Sequence, residues 1–172
     1  MILRLSQNVS AKIKAGKLSE LPLDENPYAD WSCNLFTAAR TQYIIVSNTK
    51  SLFSAVMYGR GITDVSHFVK RVLITIQELT DEDGLPSVYQ RFIAPTSGTV
   101  AFAKALNRSV TGSMNDLIKF AKHWLVEEEI SLYDLRIRLN DTLLSALATD
   151  RSPRYRRPSE AFRMLQHGRV GQ

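Results

Sequence analysis

Cysteine is nearly absent from this chain: Cys33 is the only one in 172 residues. A lone thiol excludes an internal disulfide and any site built from several cysteines, such as a zinc ribbon or an iron–sulfur centre. Long apolar runs are missing as well. No stretch of about 18 consecutive apolar residues occurs, and the opening Met1-Ile2-Leu3-Arg4-Leu5-Ser6 lacks the extended apolar core of a secretory leader. Together these absences predict a cytoplasmic protein without a membrane partner. The eight glycines are scattered. There is no glycine-rich dinucleotide fingerprint, no phosphate-cradling loop ending in Gly-Lys-Ser/Thr, no Gly-x-Ser-x-Gly elbow and no paired-histidine zinc helix. No cofactor and no metal site is therefore expected, and the balance leans away from an enzyme.

Hydrophobic residues make up 44% and charged residues 23% of the chain, the proportions of an ordinary globular domain. A chain of this length buries enough surface to fold without a metal or a disulfide. The net charge of +5 is unevenly placed. Residues 1–150 are balanced, with 16 basic and 16 acidic side chains, and the whole excess lies in residues 151–172, where six arginines face one glutamate. Arg151, Arg154, Arg156 and Arg157 surround Tyr155, a pattern able to hold phosphates electrostatically while the ring stacks on a base. The competing reading is a terminus that solubilises the chain or pairs with its own acidic residues, Glu127-Glu128-Glu129 being one such run.

Local patterns give an element order. Ile2 to Leu5 reads as a strand, and Gln7 to Lys14 as a helix capped by Ser6. Residues 15–30, with Gly16, Pro22 and Pro27, read as a surface loop. Asn34–Thr37, Tyr43–Ser47 and Leu52–Met57 are three β-branched and aromatic segments with short breaks, which predicts an antiparallel meander. From Thr63 or Asp64 onward, Val65, Phe68, Val69, Val72, Leu73, Ile76 and Leu79 recur at helical spacing. A helical stretch over 86–93, a strand over 99–104, a helix from Ser113 with Asp116 in a capping box, and a helix capped by Ser131 follow in turn. Pro158 opens a short helix through Gln166, with Gly168 as its stop. The predicted class is α+β: two layers, a small mainly antiparallel sheet with the helices around 64–79 and 113–126 covering one face. Residues 1–147 form the single domain and 148–172 a basic C-terminal tail.

Candidate sites are few. His67, His123 and His167 lie on separate segments away from the best apolar stripes. Nothing places a histidine beside Cys33, so a thiol nucleophile has no base. Trp31, within Asp30-Trp31-Ser32-Cys33-Asn34, reads first as packing and second as a pocket wall, and Tyr58-Gly59-Arg60-Gly61 reads as a connector. The most suggestive segment joins a strand to a helix. There Asn107, Arg108, Ser109, Thr111, Gly112, Ser113 and Asn115 are suited to a phosphate or carboxylate, with Arg108 as the clamp and the hydroxyl and amide groups as donors. Ser113 and Asp116 explain the same segment as helix capping.

The segments MILRLSQNVSAKIK, ELPLDENPYADWSCNLFTAARTQYIIVSNTKSLFSAVMYGRGI and NRSVTGSMNDLI, in this order, resemble an uncharacterised prokaryotic domain family. Trp31, Asn34, Leu35, Ser47, Asn48, Ser51, Leu52, Phe53 and Ser54, and then Asn107 to Asp116, carry the likeness, which spans residues 1–147. It implies a fold but no reaction and no ligand. Three readings follow: a binding or regulatory module whose Arg-rich tail contacts nucleic acid or an acidic protein partner; an enzyme or sensor for a small anion at residues 107–116; and a structural protein that forms a homodimer through a sheet edge.

Overall fold

The computed structural model describes residues 1–148 and 155–165. Its centre is one five-stranded sheet in the order β4-β3-β2-β1-β5, formed by β1 (Ile2–Leu5), β2 (Asp30–Ala38), β3 (Thr41–Asn48), β4 (Ser54–Tyr58) and β5 (Ala101–Ala103). β2, β3 and β4 are the predicted antiparallel meander. β1, however, runs parallel to both β2 and β5, so the sheet is mixed. A parallel neighbour needs a crossover, and residues 6–29 supply it through α1 (Gln7–Ile13), which starts where the Ser6 hydroxyl accepts from the Val9 amide.

The tight β2–β3 turn puts Ala39 and Arg40 both at positive φ, 47° and 64°. Two successive left-handed residues make the mirror-image turn whose twist matches a hairpin, here without the glycine or asparagine that usually signals it. In the β3–β4 turn Leu52 is left-handed at φ 60°. Asn48 steadies that turn, its Oδ1 accepting from the Ser51 amide at 3.0 Å and its Nδ2 donating to the Pro27 carbonyl at 2.8 Å.

The long helices α2 (Val65–Glu82) and α4 (Arg108–Glu127) do not share a face. Strand side chains alternate sides, and here both sides are apolar. Trp31, Cys33, Ile44, Val46 and Met57 pack with Phe68, Val72 and Ile76 of α2. Phe36, Ala38, Tyr43, Ile45 and Val56 pack with Met114, Leu117 and Ala121 of α4 and with Leu135 and Leu139 of α5 (Leu132–Asp141). The class is α+β, but the expected two layers are three, because the strands are apolar on both faces and each face needs a cover. Between α2 and β5 the chain winds through α3 (Pro86–Val88), a π turn at Tyr89–Ile93 and a 3₁₀ turn at Ala94–Thr96.

The final helix, α6 (Pro158–Leu165), is part of the core. Phe162 is fully buried, stacked on Phe53 at 4.4 Å and edge-on to Tyr28 at 5.2 Å. The expected boundary at 147 thus separates a domain from a segment that returns to it. The apolar anchor is Phe162, with Ala161 buried and Leu165 packed beside it, in a segment whose composition is dominated by arginine. Phe162→Ala is expected to lower unfolding free energy by about 3–5 kcal/mol, measured by urea denaturation. A change below about 1 kcal/mol would mean that α6 does not hold this position.

Candidate functional site

The buried charges come first, because a functional group is often one that burial has perturbed. Arg4 and Asp30 are both inaccessible to solvent and form a two-pronged pair, Nε to Oδ1 at 2.8 Å and Nη2 to Oδ2 at 2.7 Å. The remaining Arg4 donors go to the carbonyls of Leu21 at 2.9 Å, Lys104 at 3.3 Å and Pro22 at 2.8 Å. All five guanidinium hydrogens are thereby used, and Asp30 also accepts from the Asp24 amide at 3.0 Å. The pair is saturated and structural. Cys33 is buried in the apolar core, and burial pushes its thiol far up from the ordinary range. With the thiolate disfavoured, the residue packs rather than reacts. His67 and His123 are exposed on α2 and α4, and His167 lies outside the described residues. Trp31 is core, its indole donating to the Tyr28 carbonyl at 2.8 Å.

At residues 107–116 the helix begins earlier than the capping pattern indicates. Asn107 is the cap, accepting from the Val110 amide at 2.9 Å, and Arg108 opens α4. Thr111 and Ser113 are therefore inside the helix, donating back to the carbonyls of Asn107 and Ser109. Asp116, expected to close the capping box at the helix start, lies beyond the first turn and sits 3.7 Å from Lys119. An asparagine cap two residues ahead of a weak helix-forming Ser-Val-Thr-Gly run is the signal that Ser113 and Asp116 obscured. Arg108, Ser109, Gly112 and Asn115 are exposed, and Ser113 is buried beside Met114. Thr111 borders a hollow of only about 20 Å³ with Ser32 and Asn34.

The tail arginines divide. Arg151 and Arg154 lie outside the described residues. Tyr155 is exposed, and Arg156 pairs its backbone with Leu144. Arg157 bridges Asp141 at 2.8 Å and Glu160 at 3.1 Å, while Arg163 of α6 reaches Asp83 at 2.6 Å. Burial holds the Asp83 carboxyl above the usual range despite the opposing pull of Arg163. In the run Glu127–Glu129, expected as an acidic partner, Glu128 pairs with Arg138 of α5.

A groove beside the sheet edge was not foreseen. β4 is the last strand of the sheet, and beside its open edge run two adjoining hollows of about 280 and 250 Å³. Ala55 to Tyr58 form the floor of the first, Arg71, Thr75, Glu78 and Glu82 of α2 one wall, and Leu132, Tyr133 and Arg136 of α5 the other. Arg136 is buried, pairs with Glu82, and lies with its guanidinium carbon 4.7 Å over the Tyr133 ring. Its Nε has no hydrogen-bond partner among the described residues. Tyr58, Tyr133 and Ile137 are about half exposed at 52%, 55% and 49%, an apolar rim around a polar centre. The other sheet edge is closed: Ser19 bridges Ala103 outside β5. The readable signal was α5, where Tyr133 and Ile137 stand four apart on the outside of a short polar helix while Arg136 and Asn140 point inward.

Fold and site define a small mixed-sheet α+β domain with one open, walled strand edge. Within that class the chain belongs to the DUF6933 family, a domain of unknown function, matched over residues 2–161. No curated protein and no solved structure matches it. The family match extends past the 147 boundary into α6. Among the described residues, no helix is long and apolar enough to cross a membrane.

Two expectations follow. Cys33 should resist a thiol reagent in native buffer at pH 8 and react fully in denaturant; rapid stoichiometric labelling of the folded protein would contradict the burial. Asn107→Ala should destabilise by about 0.5–2 kcal/mol as a lost cap, whereas exposed Arg108→Ala should change unfolding free energy by less than about 0.5 kcal/mol.

Proposed function

We propose that this domain is a binding module that holds a polypeptide partner in the groove along β4. One observation carries this reading: the open strand edge lies at the bottom of a groove walled by α2 and α5 and rimmed by exposed Tyr58, Tyr133 and Ile137. Half-exposed aromatic and aliphatic side chains around a polar hollow are the composition of a recognition surface. The groups that chemistry would need are otherwise occupied, with Arg4 and Asp30 saturated by each other and Cys33 sealed in the core. The ionisable side chains lining the groove are Arg71 and Arg136 against Glu78, Glu82, Asp83 and Asp141, with no cationic excess, which favours a polypeptide over a polyanion.

A second reading rests on the charge segregation of residues 151–172: the Arg-rich segment engages nucleic acid or an acidic surface. Arg157 and Arg163 are already paired internally, which shifts that reading onto Arg151 and Arg154. Such binding would weaken steeply between low and moderate salt.

The test selects random linear peptides from a displayed library on the full-length chain and measures the enriched peptides against Glu78→Arg and Tyr133→Ala. Loss of at least about tenfold in affinity, the order of one interface hot-spot contact, supports the groove. Failure to enrich any peptide, or enriched peptides indifferent to both substitutions, overturns it, and salt-sensitive capture of single-stranded DNA by the same chain would transfer the function to the tail.

A further inference from the structure

Resting on that reading, we infer that the groove takes its partner as an added β-strand: an extended peptide segment that hydrogen-bonds to the outer edge of β4 at Val56 and Tyr58.

The alternation of the antiparallel ladder identifies the free groups. The Asn48 amide donates to the Phe53 carbonyl at 2.8 Å and the Gly59 amide to the Gln42 carbonyl at 2.9 Å. The β3–β4 register pairs Tyr43 with Tyr58 and Ser47 with Ser54. Residues 53, 55, 57 and 59 thus turn their backbone groups toward β3, and residues 54, 56 and 58 turn theirs outward. The first outward position shows what the edge accepts. Ser54 receives the Asn140 side chain, whose Oδ1 accepts from the Ser54 amide at 2.8 Å and whose Nδ2 donates to the Ser54 carbonyl at 2.8 Å. A carboxamide carries the same donor and acceptor as a peptide group, so Asn140 stands where a neighbouring strand would and ends the site there. Val56 and Tyr58 are the next two outward positions, and both line the groove floor.

The walls decide which strand can enter. A second copy of this chain would have to present its own β4, which lies equally deep between its own α2 and α5, and two recessed edges cannot meet. A segment free of flanking helices can. Its side chains would alternate between the two walls. On the α2 side they meet Arg71 and Glu78, two opposite charges seven residues apart, neither of them in an ion pair among the described residues, which suits a segment with one acidic and one basic side chain on that face. On the α5 side they meet Leu132 and the Tyr133 ring, which suits apolar side chains. Arg136, with a buried Nε lacking an acceptor, lies between these positions and Asn140 and is suited to an incoming carbonyl. Backbone pairing supplies affinity and the two walls supply selectivity, as in other strand-addition sites.

The test uses a groove-binding peptide from the selection described above, resynthesised with a single N-methyl group at each backbone nitrogen in turn. Methylation should reduce affinity at least about tenfold at every second position, the order of one lost hydrogen bond, and leave the positions between nearly unchanged. The Val56 and Tyr58 amides should become protected from hydrogen exchange when the peptide binds. Val56→Pro removes an outward donor without touching the β3 ladder and should abolish binding; if that variant does not fold, the methyl scan and exchange on the unaltered protein decide. Groove-dependent binding with no alternation and no protection overturns strand addition while leaving the binding module intact. Concentration-dependent dimerisation that protects the same two amides gives the edge to a second copy and also overturns the proposal.

Discussion

The Arg4–Asp30 pair is the constraint on which the rest of the structure depends. Removing two full charges from water costs several kcal/mol per ion, and the cost is offset only when geometry and hydrogen bonding are complete. Here they are, and the acceptors come from four residues in three places: Asp30 on β2, Leu21 and Pro22 in the crossover, and Lys104 just after β5. The pair therefore joins β1 to β2 and holds the crossover loop and the end of β5 around it. Asn26 in that loop then donates to the Phe92 carbonyl, and Tyr28 stacks on Phe92 and meets Phe162. The loop that the pair holds in place thus carries the aromatic face on which α6 docks.

A sheet covered on both faces must also satisfy its polar residues internally, and it does so along one seam. Ser32 and Thr49 share a hydrogen bond at 2.8 Å, Ser47 and Ser54 another at 2.6 Å, and Asn48 and Asn140 satisfy the backbone where β4 begins, at Ser51 and Ser54. Such a seam fixes strand register, since a one-residue slip would bury each of these groups without a partner. It also decides where the open edge begins. Asn140 satisfies Ser54, and beyond it the edge is left to the groove.

Several features were legible in the chain because they depend on near neighbours. The meander over 30–58, α2 with its Asp64 cap, α5 with its Ser131 cap and the short helix from Pro158 all follow from residue spacing and capping chemistry. The start of α4 did not, because Ser113 and Asp116 imitate a helix start inside a helix that Asn107 had already begun. The turn at Ala39-Arg40 was hidden for a different reason: its left-handed backbone is imposed by the strands it joins, not by the residues in it.

By itself the sequence determined the class, the order of nearly all elements and the segregation of charge into the last 22 residues, since period, caps and composition act locally. Only the tertiary structure decided that β1 runs parallel between β2 and β5, that α2 and α4 take opposite faces, that Phe162 belongs to the core and that β4 lies open between two helices. Each of these joins residues far apart in the chain, where the choice between faces or edges is made by which apolar surfaces and buried charges find partners, and no local pattern records that choice.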